Sequence, residues 1–317
     1  MNRRTILAIG SGIAAIFALR GRRRLRLNED LEWASLDKPG KVIDIDGYGV
    51  HHVEQGTGPA IVLIHGFGGH TYHYRRMIPS LAREHRVIAV DLKGFGYSER
   101  DANAGLSHED QVAMLKKLLR RLDVDRALFV GHSMGGAVVQ RLAAHHPEMV
   151  DGLVLIASVS GGAEEARIRR RMKLPPAPIA RRIIPYFGKF AASRLLGASF
   201  YDSAYLSDDI RAEYLRPGRI KGSMDGLLAM MRDGAHDPDI DQSKITMPVL
   251  IVNGAQDRIV PLSMAQKIRK RIPQARLVVI EHAKHAVVDE RAEECSRAIL
   301  DFLRDSASEI PTAASAR

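Results

Sequence analysis

Cysteine is nearly absent from this chain of 317 residues: Cys295 stands alone. One thiol can build neither an internal disulfide framework nor a multi-cysteine zinc site. Long hydrophobic runs are missing as well, and with them any multi-span membrane protein. No internal repeat is visible. Apolar residues make up 45% and charged residues 26%, ordinary values that exclude a disordered or collagen-like chain. Acidic residues are missing from positions 1–27, which hold seven arginines (Arg3, Arg4, Arg20, Arg22, Arg23, Arg24 and Arg26). The formal net charge of +10 is therefore largely terminal, and the remaining 290 residues carry only +3. That distribution argues against a basic groove for nucleic acid. A second basic patch, nine basic residues against two acids, lies in 163–200 and includes Arg167, Arg169, Arg170, Arg171, Arg181 and Arg182.

Thr5–Leu19 is uncharged and mostly apolar over fifteen residues. As a helix it covers roughly 22 Å, short of the roughly 30 Å hydrocarbon core. The following Ala18-Leu19-Arg20-Gly21-Arg22 is a poor cleavage site, and the run has no polar face for a soluble amphipathic helix. Residues 1–27 are thus expected to form an uncleaved membrane anchor, with arginines reaching lipid phosphates. The positive-inside tendency then places the body on the cytoplasmic side. The basic patch at 163–200 would lie on anionic lipid beside it.

From Val42 onward, short apolar runs alternate with amphipathic stretches. Ala60–Ile64, Val87–Val90, Ala127–Val130, Leu153–Ile156, Val249–Val252 and Leu277–Ile280 read as strands buried on both faces. Ser107 can cap a helix running to about Leu122, with Val112, Leu115, Leu118 and Leu119 on one face. Further helices follow Ser133 and Pro261. Strand–helix alternation predicts an α/β fold with a mostly parallel central sheet flanked by helices. It divides into core segments 40–160 and 242–305. The intervening 161–241 holds Pro175, Pro176, Pro178, Pro185 and Pro217 among its prolines and no strong strand. Too long for a bare loop, it is expected to be a helical cap. Residues 306–317 are expected to be a disordered tail.

Gly131-His132-Ser133-Met134-Gly135-Gly136 directly follows one predicted strand and opens a helix. That context suits a nucleophile elbow, in which Ser133 sits at the apex of a sharp turn and nearby glycines remove colliding side chains. A serine needs a base. After the last strand, His282 and His285 compete, and the spacing favours His285. The base needs a carboxylate, and Asp257 lies in the turn after Val249–Val252, where the equivalent place after Leu153–Ile156 holds only Ala157-Ser158. Two oxyanion donors are expected: the N–H of Met134, and that of Phe67 in His65-Gly66-Phe67-Gly68-Gly69. His65 is expected to buttress that loop, and Asp91 to hold the turn Asp91–Ser98.

Together HGFGG (65–69), DLKGFGYS (91–98), GHSMGG (131–136), GAQDRIVP (254–261) and HAKHAVVDE (282–290) resemble the α/β-hydrolase superfamily over about residues 40–305. The order serine, aspartate, histidine is the superfamily's own. Two positions depart from its usual pattern, which has glycine where Lys284 stands and proline where Val287 stands. The resemblance implies a serine hydrolase of the capped-esterase or monoacylglycerol-lipase kind that needs no cofactor or metal. Its expected partners are a small-molecule ester or lipid and the membrane, with no nucleic acid. A carbon–carbon bond hydrolase of ring-cleavage products is the alternative enzyme. A non-catalytic ligand-binding protein is the alternative of another class.

Overall fold

A computed structural model describes residues 29–101, 103–160, 192–233 and 237–306. Eight strands form one sheet: β1 Lys41–Ile45, β2 Tyr48–Gln55, β3 Ala60–Ile64, β4 Arg86–Val90, β5 Ala127–His132, β6 Val150–Ile156, β7 Val249–Gly254 and β8 Arg276–Ile280. Their spatial order is β1-β2-β4-β3-β5-β6-β7-β8. Pairing is antiparallel for β1–β2 and β2–β4 and parallel elsewhere.

The six predicted apolar runs are β3 to β8. In β3 to β7 the continuous hydrophobicity reflects burial on both faces, because successive side chains alternate between them; β8 is the edge strand, where Leu277 and Val278 are only partly buried and Val279 is exposed. Val62, Ile64, Phe129, Leu153, Leu155 and Ile251 pack on one side with α1 (His108–Arg121) and α2 (Met134–His145). Ile61, Leu63, Leu128, Val130, Val154 and Val252 pack on the other with α6 (Ala292–Asp305). β1 and β2 went unpredicted because they lack such a run. β2 reads Tyr-Gly-Val-His-His-Val-Glu-Gln, and its polar His51 and His52 are fully buried.

Ser107 caps α1 in a capping box: its hydroxyl accepts from Asp110 N at 3.1 Å, and the Asp110 carboxylate accepts from Ser107 N at 2.9 Å. Between β6 and β7 the described residues are helical, with no strand. They include a helix over 192–199, a short turn Ser203–Tyr205, α3 (Asp208–Leu215) and α4 (Ser223–Asp233). α5 is Leu262–Arg271. The chain just before the sheet straps onto this insertion. Leu31 bridges to Ile220, Asp30 pairs with Arg219 at 2.6 Å, and Glu29 accepts from Met224 N at 2.7 Å.

The expected membrane location does not hold. No helix among the described residues is long and apolar enough to cross a membrane. Thr5–Leu19 lies outside those residues, as do 161–191, with most of the basic patch, and the tail 307–317. The anchor, the cytoplasmic placement and the lipid surface are therefore withdrawn.

Candidate functional site

β5, β7 and β8 run parallel, so their C-terminal ends open on one edge of the sheet, the usual binding edge of open α/β folds. Ser133 sits between the end of β5 and the start of α2 with φ 53° and ψ −118°. A side chain at positive φ costs about 1–3 kcal/mol and persists only where the surroundings enforce it. Here Ser133 N donates to Ile156 O at 3.0 Å, while Ser133 O accepts from Gly136 N at 3.0 Å and Val159 N at 3.2 Å. Packing is equally tight. A Cβ on Gly66 would lie 2.8 Å from Ser133 Cβ, and one on Gly136 would lie 1.9 Å from Ser158 Oγ. The glycines in both motifs are there for close approach.

The residues from three separate loops meet. His285 Nε2 lies 3.1 Å from Ser133 Oγ, and His285 Nδ1 lies 2.8 Å from Asp257 Oδ2. Asp257 Oδ1 accepts from Ile259 N at 2.8 Å and Val260 N at 2.9 Å. The carboxylate is fixed in rotation and can only accept. It therefore selects the imidazole tautomer with the proton on Nδ1, leaving Nε2 free to take the serine proton. Despite Lys284 and Val287, the loop carries His285 into this line. His282 is exposed, packs edge-on against Tyr201 at 5.4 Å and takes no part in it.

The turn after β3 closes through Gly69 N to Gly66 O at 2.9 Å and lies against Ser133. Phe67, in that turn, is 36% exposed and meets Phe95 edge-on at 5.8 Å. Met134 is the first residue of α2, so its N–H belongs to the turn that a helix leaves unsatisfied. His65 supports the turn from behind. Its Nε2 accepts from Leu92 N at 3.0 Å, which leaves Nδ1 to donate to Gly66 O at 2.8 Å. Asp91 is fully buried and accepts from His51 Nδ1, Thr71 N and Tyr97 N at 2.6–2.7 Å. Burial opposes its charge, but the His51 hydrogen bond and the neighbouring imidazoles outweigh that and hold the carboxyl below the usual range. Asp91 is thereby occupied in holding its turn.

Two neighbours of the line were not foreseen. His132 Nε2 reaches His285 O at 2.9 Å, and the two rings lie 4.8 Å apart. Burial, followed by the nearby His285, pulls His132 down to about 3, so it is neutral and donates from Nε2. Its only sequence signal is its place before Ser133. Glu290 accepts from Lys284 N at 2.8 Å and from Tyr201 N at 2.6 Å, linking the histidine loop to the insertion.

Buried imidazoles here give the fold an acid limit. Burial also lowers His70 to about 4 and takes His73 well below and His65 below their usual range. Each stays neutral when folded but gains a proton when unfolded below about pH 6.5. Their stabilisation is full above that pH and is lost as pH falls toward the folded values. Glu290, raised by burial, acts in the opposite sense as a single group. The melting temperature should fall steadily from pH 7 to 4.5, as the unfolded chain takes up protons that the buried rings refuse. A flat thermal-melt profile over that interval would contradict neutral burial of these rings.

The chain belongs to the alpha/beta hydrolase fold family, whose model matches residues 59–292. It is 27% identical to the uncharacterized hydrolase YugF of Bacillus subtilis, over 84% of this chain and 98% of that one. It is 28% identical to the 2-hydroxy-6-oxo-2,4-heptadienoate hydrolase of Pseudomonas putida, over 83% and 96% of the two chains. Among solved structures it resembles a thermophilic esterase from Thermogutta terrifontis, with TM-score 0.71 and 25% identity over 84% and 99% of the two chains.

Proposed function

We propose that this protein hydrolyses carboxylic esters through an acyl-enzyme on Ser133. The observation that carries this reading is the continuous hydrogen-bond line from Ser133 Oγ through His285 to Asp257. His285 takes the serine proton as Oγ attacks the ester carbonyl and returns it to the departing alcohol. Asp257 holds the tautomer and stabilises the imidazolium. The N–H groups of Phe67 and Met134 hold the oxyanion. Water, activated by the same histidine, then attacks the acyl-enzyme and releases the acid. The half-exposed Phe67 beside Phe95 suits an apolar acyl group, acylglycerols among the candidates. The described part of the insertion, 192–233 and 237–241, serves as the cap over this site.

A second reading is carbon–carbon bond hydrolysis of ring-cleavage dienoates, favoured by the Pseudomonas putida relative named for such a substrate. A chain-length series of p-nitrophenyl esters assayed beside one dienoate separates the two. The ester reading expects labelling of Ser133 by a fluorophosphonate and turnover that rises with acyl length. Dienoate turnover far above that of every ester would replace it. A protein that neither labels nor turns over any of these would be a non-catalytic binder.

A further inference from the structure

Asp289 lies four residues beyond His285 and its side chain is fully buried. Its two oxygens collect donors from three parts of the chain. Oδ2 accepts from Arg75 Nη1 at 2.6 Å and from Tyr214 OH at 2.5 Å, and Oδ1 accepts from Tyr205 OH at 2.5 Å. Arg75 follows the turn that carries Phe67, whereas Tyr205 and Tyr214 belong to the insertion. Around this carboxylate the packing is aromatic. Tyr214 stacks on His73 at 4.4 Å and meets Tyr72 edge-on at 5.8 Å, and Arg75 lies over the Tyr72 ring at 4.0 Å. Phe200 stacks on Tyr205 at 5.5 Å. The backbone joins in as well: Ala286, directly after His285, donates its N–H to Ser199 O at 2.8 Å.

We propose that Asp289 is a positioning residue, the joint through which the helical insertion sets both the His285 loop and the segment following the Phe67 turn. The idea rests on the reading of His285 as the base of Ser133. Its chemistry is strict. Both carboxylate oxygens already accept from a donor, and a carboxamide can accept with only one of its two ends. An asparagine could keep Arg75 and Tyr214 on its oxygen, but its NH2 would then face Tyr205 OH, whose oxygen already accepts from Arg75 Nη2 at 3.2 Å and Arg76 Nη1 at 3.1 Å and has no lone pair left for a further donor. Arg75, half-buried, would also lose the charge beside it. The joint would open on one side, and the histidine loop and insertion would no longer be held in one register. An acyl group bound under the insertion would then meet Ser133 less accurately, and small misplacements of this kind carry large rate penalties.

The test compares Asp289→Asn, the double variant Tyr205→Phe/Tyr214→Phe and the triple combination with the unaltered full chain. The double variant removes two hydroxyls and keeps every ring. Two readouts are taken on protein shown to be folded by circular dichroism. One is the second-order rate of fluorophosphonate labelling; the other is kcat/KM for p-nitrophenyl acetate and octanoate. Asp289→Asn should slow labelling at least tenfold, and the double variant about threefold or more. The octanoate-to-acetate preference should fall at least fivefold in both. The triple variant should be no slower than Asp289→Asn, because one joint cannot be opened twice. A purely structural role would lower the melting temperature and leave labelling and preference within twofold, which overturns the proposal. Should Asp289→Asn not fold, the double variant decides alone by the same limits. If the unaltered protein itself does not label, the reading of Ser133 and His285 fails first and takes the joint with it.

Discussion

Replacing Ser133 by alanine should lower kcat by roughly 10⁵–10⁶, whichever bond the enzyme cleaves. The variant keeps Cβ, so the contact with Gly66 and the backbone bonds to Ile156, Gly136 and Val159 are unchanged. It deletes only Oγ and with it the bond to His285 Nε2. The melting temperature should therefore stay close to that of the parent while activity disappears. Steady-state kinetics on purified protein, alongside a fluorophosphonate labelling control, read the effect. Retention of more than about a hundredth of the parent rate would remove Ser133 from the mechanism, because the groups that remain, the oxyanion donors and the binding surface, supply far less.

Asp257→Asn should cost roughly 10⁴ in kcat with KM little changed. The surroundings dictate why. Ile259 N and Val260 N both donate to Oδ1, so the asparagine must place its carbonyl oxygen there. Its NH2 then faces His285 Nδ1, where Asp257 Oδ2 had been. Nδ1 must turn acceptor, the imidazole proton moves to Nε2, and Nε2 can no longer receive the proton of Ser133. The double variant Ser133→Ala/Asp257→Asn should be no slower than Ser133→Ala, since residues acting as a unit are not additive. An asparagine variant keeping more than about a tenth of the parent kcat would mean that Asp257 does not set the tautomer.

How far the chain could be read without coordinates depended on whether a constraint is local. β3 to β7 announce themselves because burial on two faces demands an unbroken apolar run, and β8 carries such a run although Val279 is exposed at the sheet edge. β2 hides because it buries His52 and also His51, whose ring nitrogens bond to Asp91 and Pro39, 40 and 12 residues away, which no window reveals. The candidate Ser133, Asp257 and His285 each lie just beyond a strand end, and the glycines near Ser133 are forced by contacts within a few ångströms. Spacing therefore pointed at them. Asp289 was illegible: its donors stand 214, 84 and 75 residues away, and an aspartate after a histidine has no distinguishing pattern. The reading of residues 1–27 as an anchor rested on one short apolar run whose helix would fall short of a bilayer. The described fold offers no membrane-crossing helix to support it.

The strap of residues 29–32 sets a boundary for protein engineering. Glu29 accepts from the N–H groups of Gly222 and Met224, and Asp30 and Glu32 pair with Arg219 and Lys221. These acids lie on the insertion beside the start of α4, immediately after the run of arginines. A shortened chain that begins at residue 28 or earlier keeps this fastening whole. One that begins at Trp33 strips three carboxylates from four basic or backbone partners and frees one border of the insertion. Tags should therefore be joined ahead of Glu29, and altered substrate preference in a more deeply trimmed chain would report the lost strap, not the loss of residues 1–28.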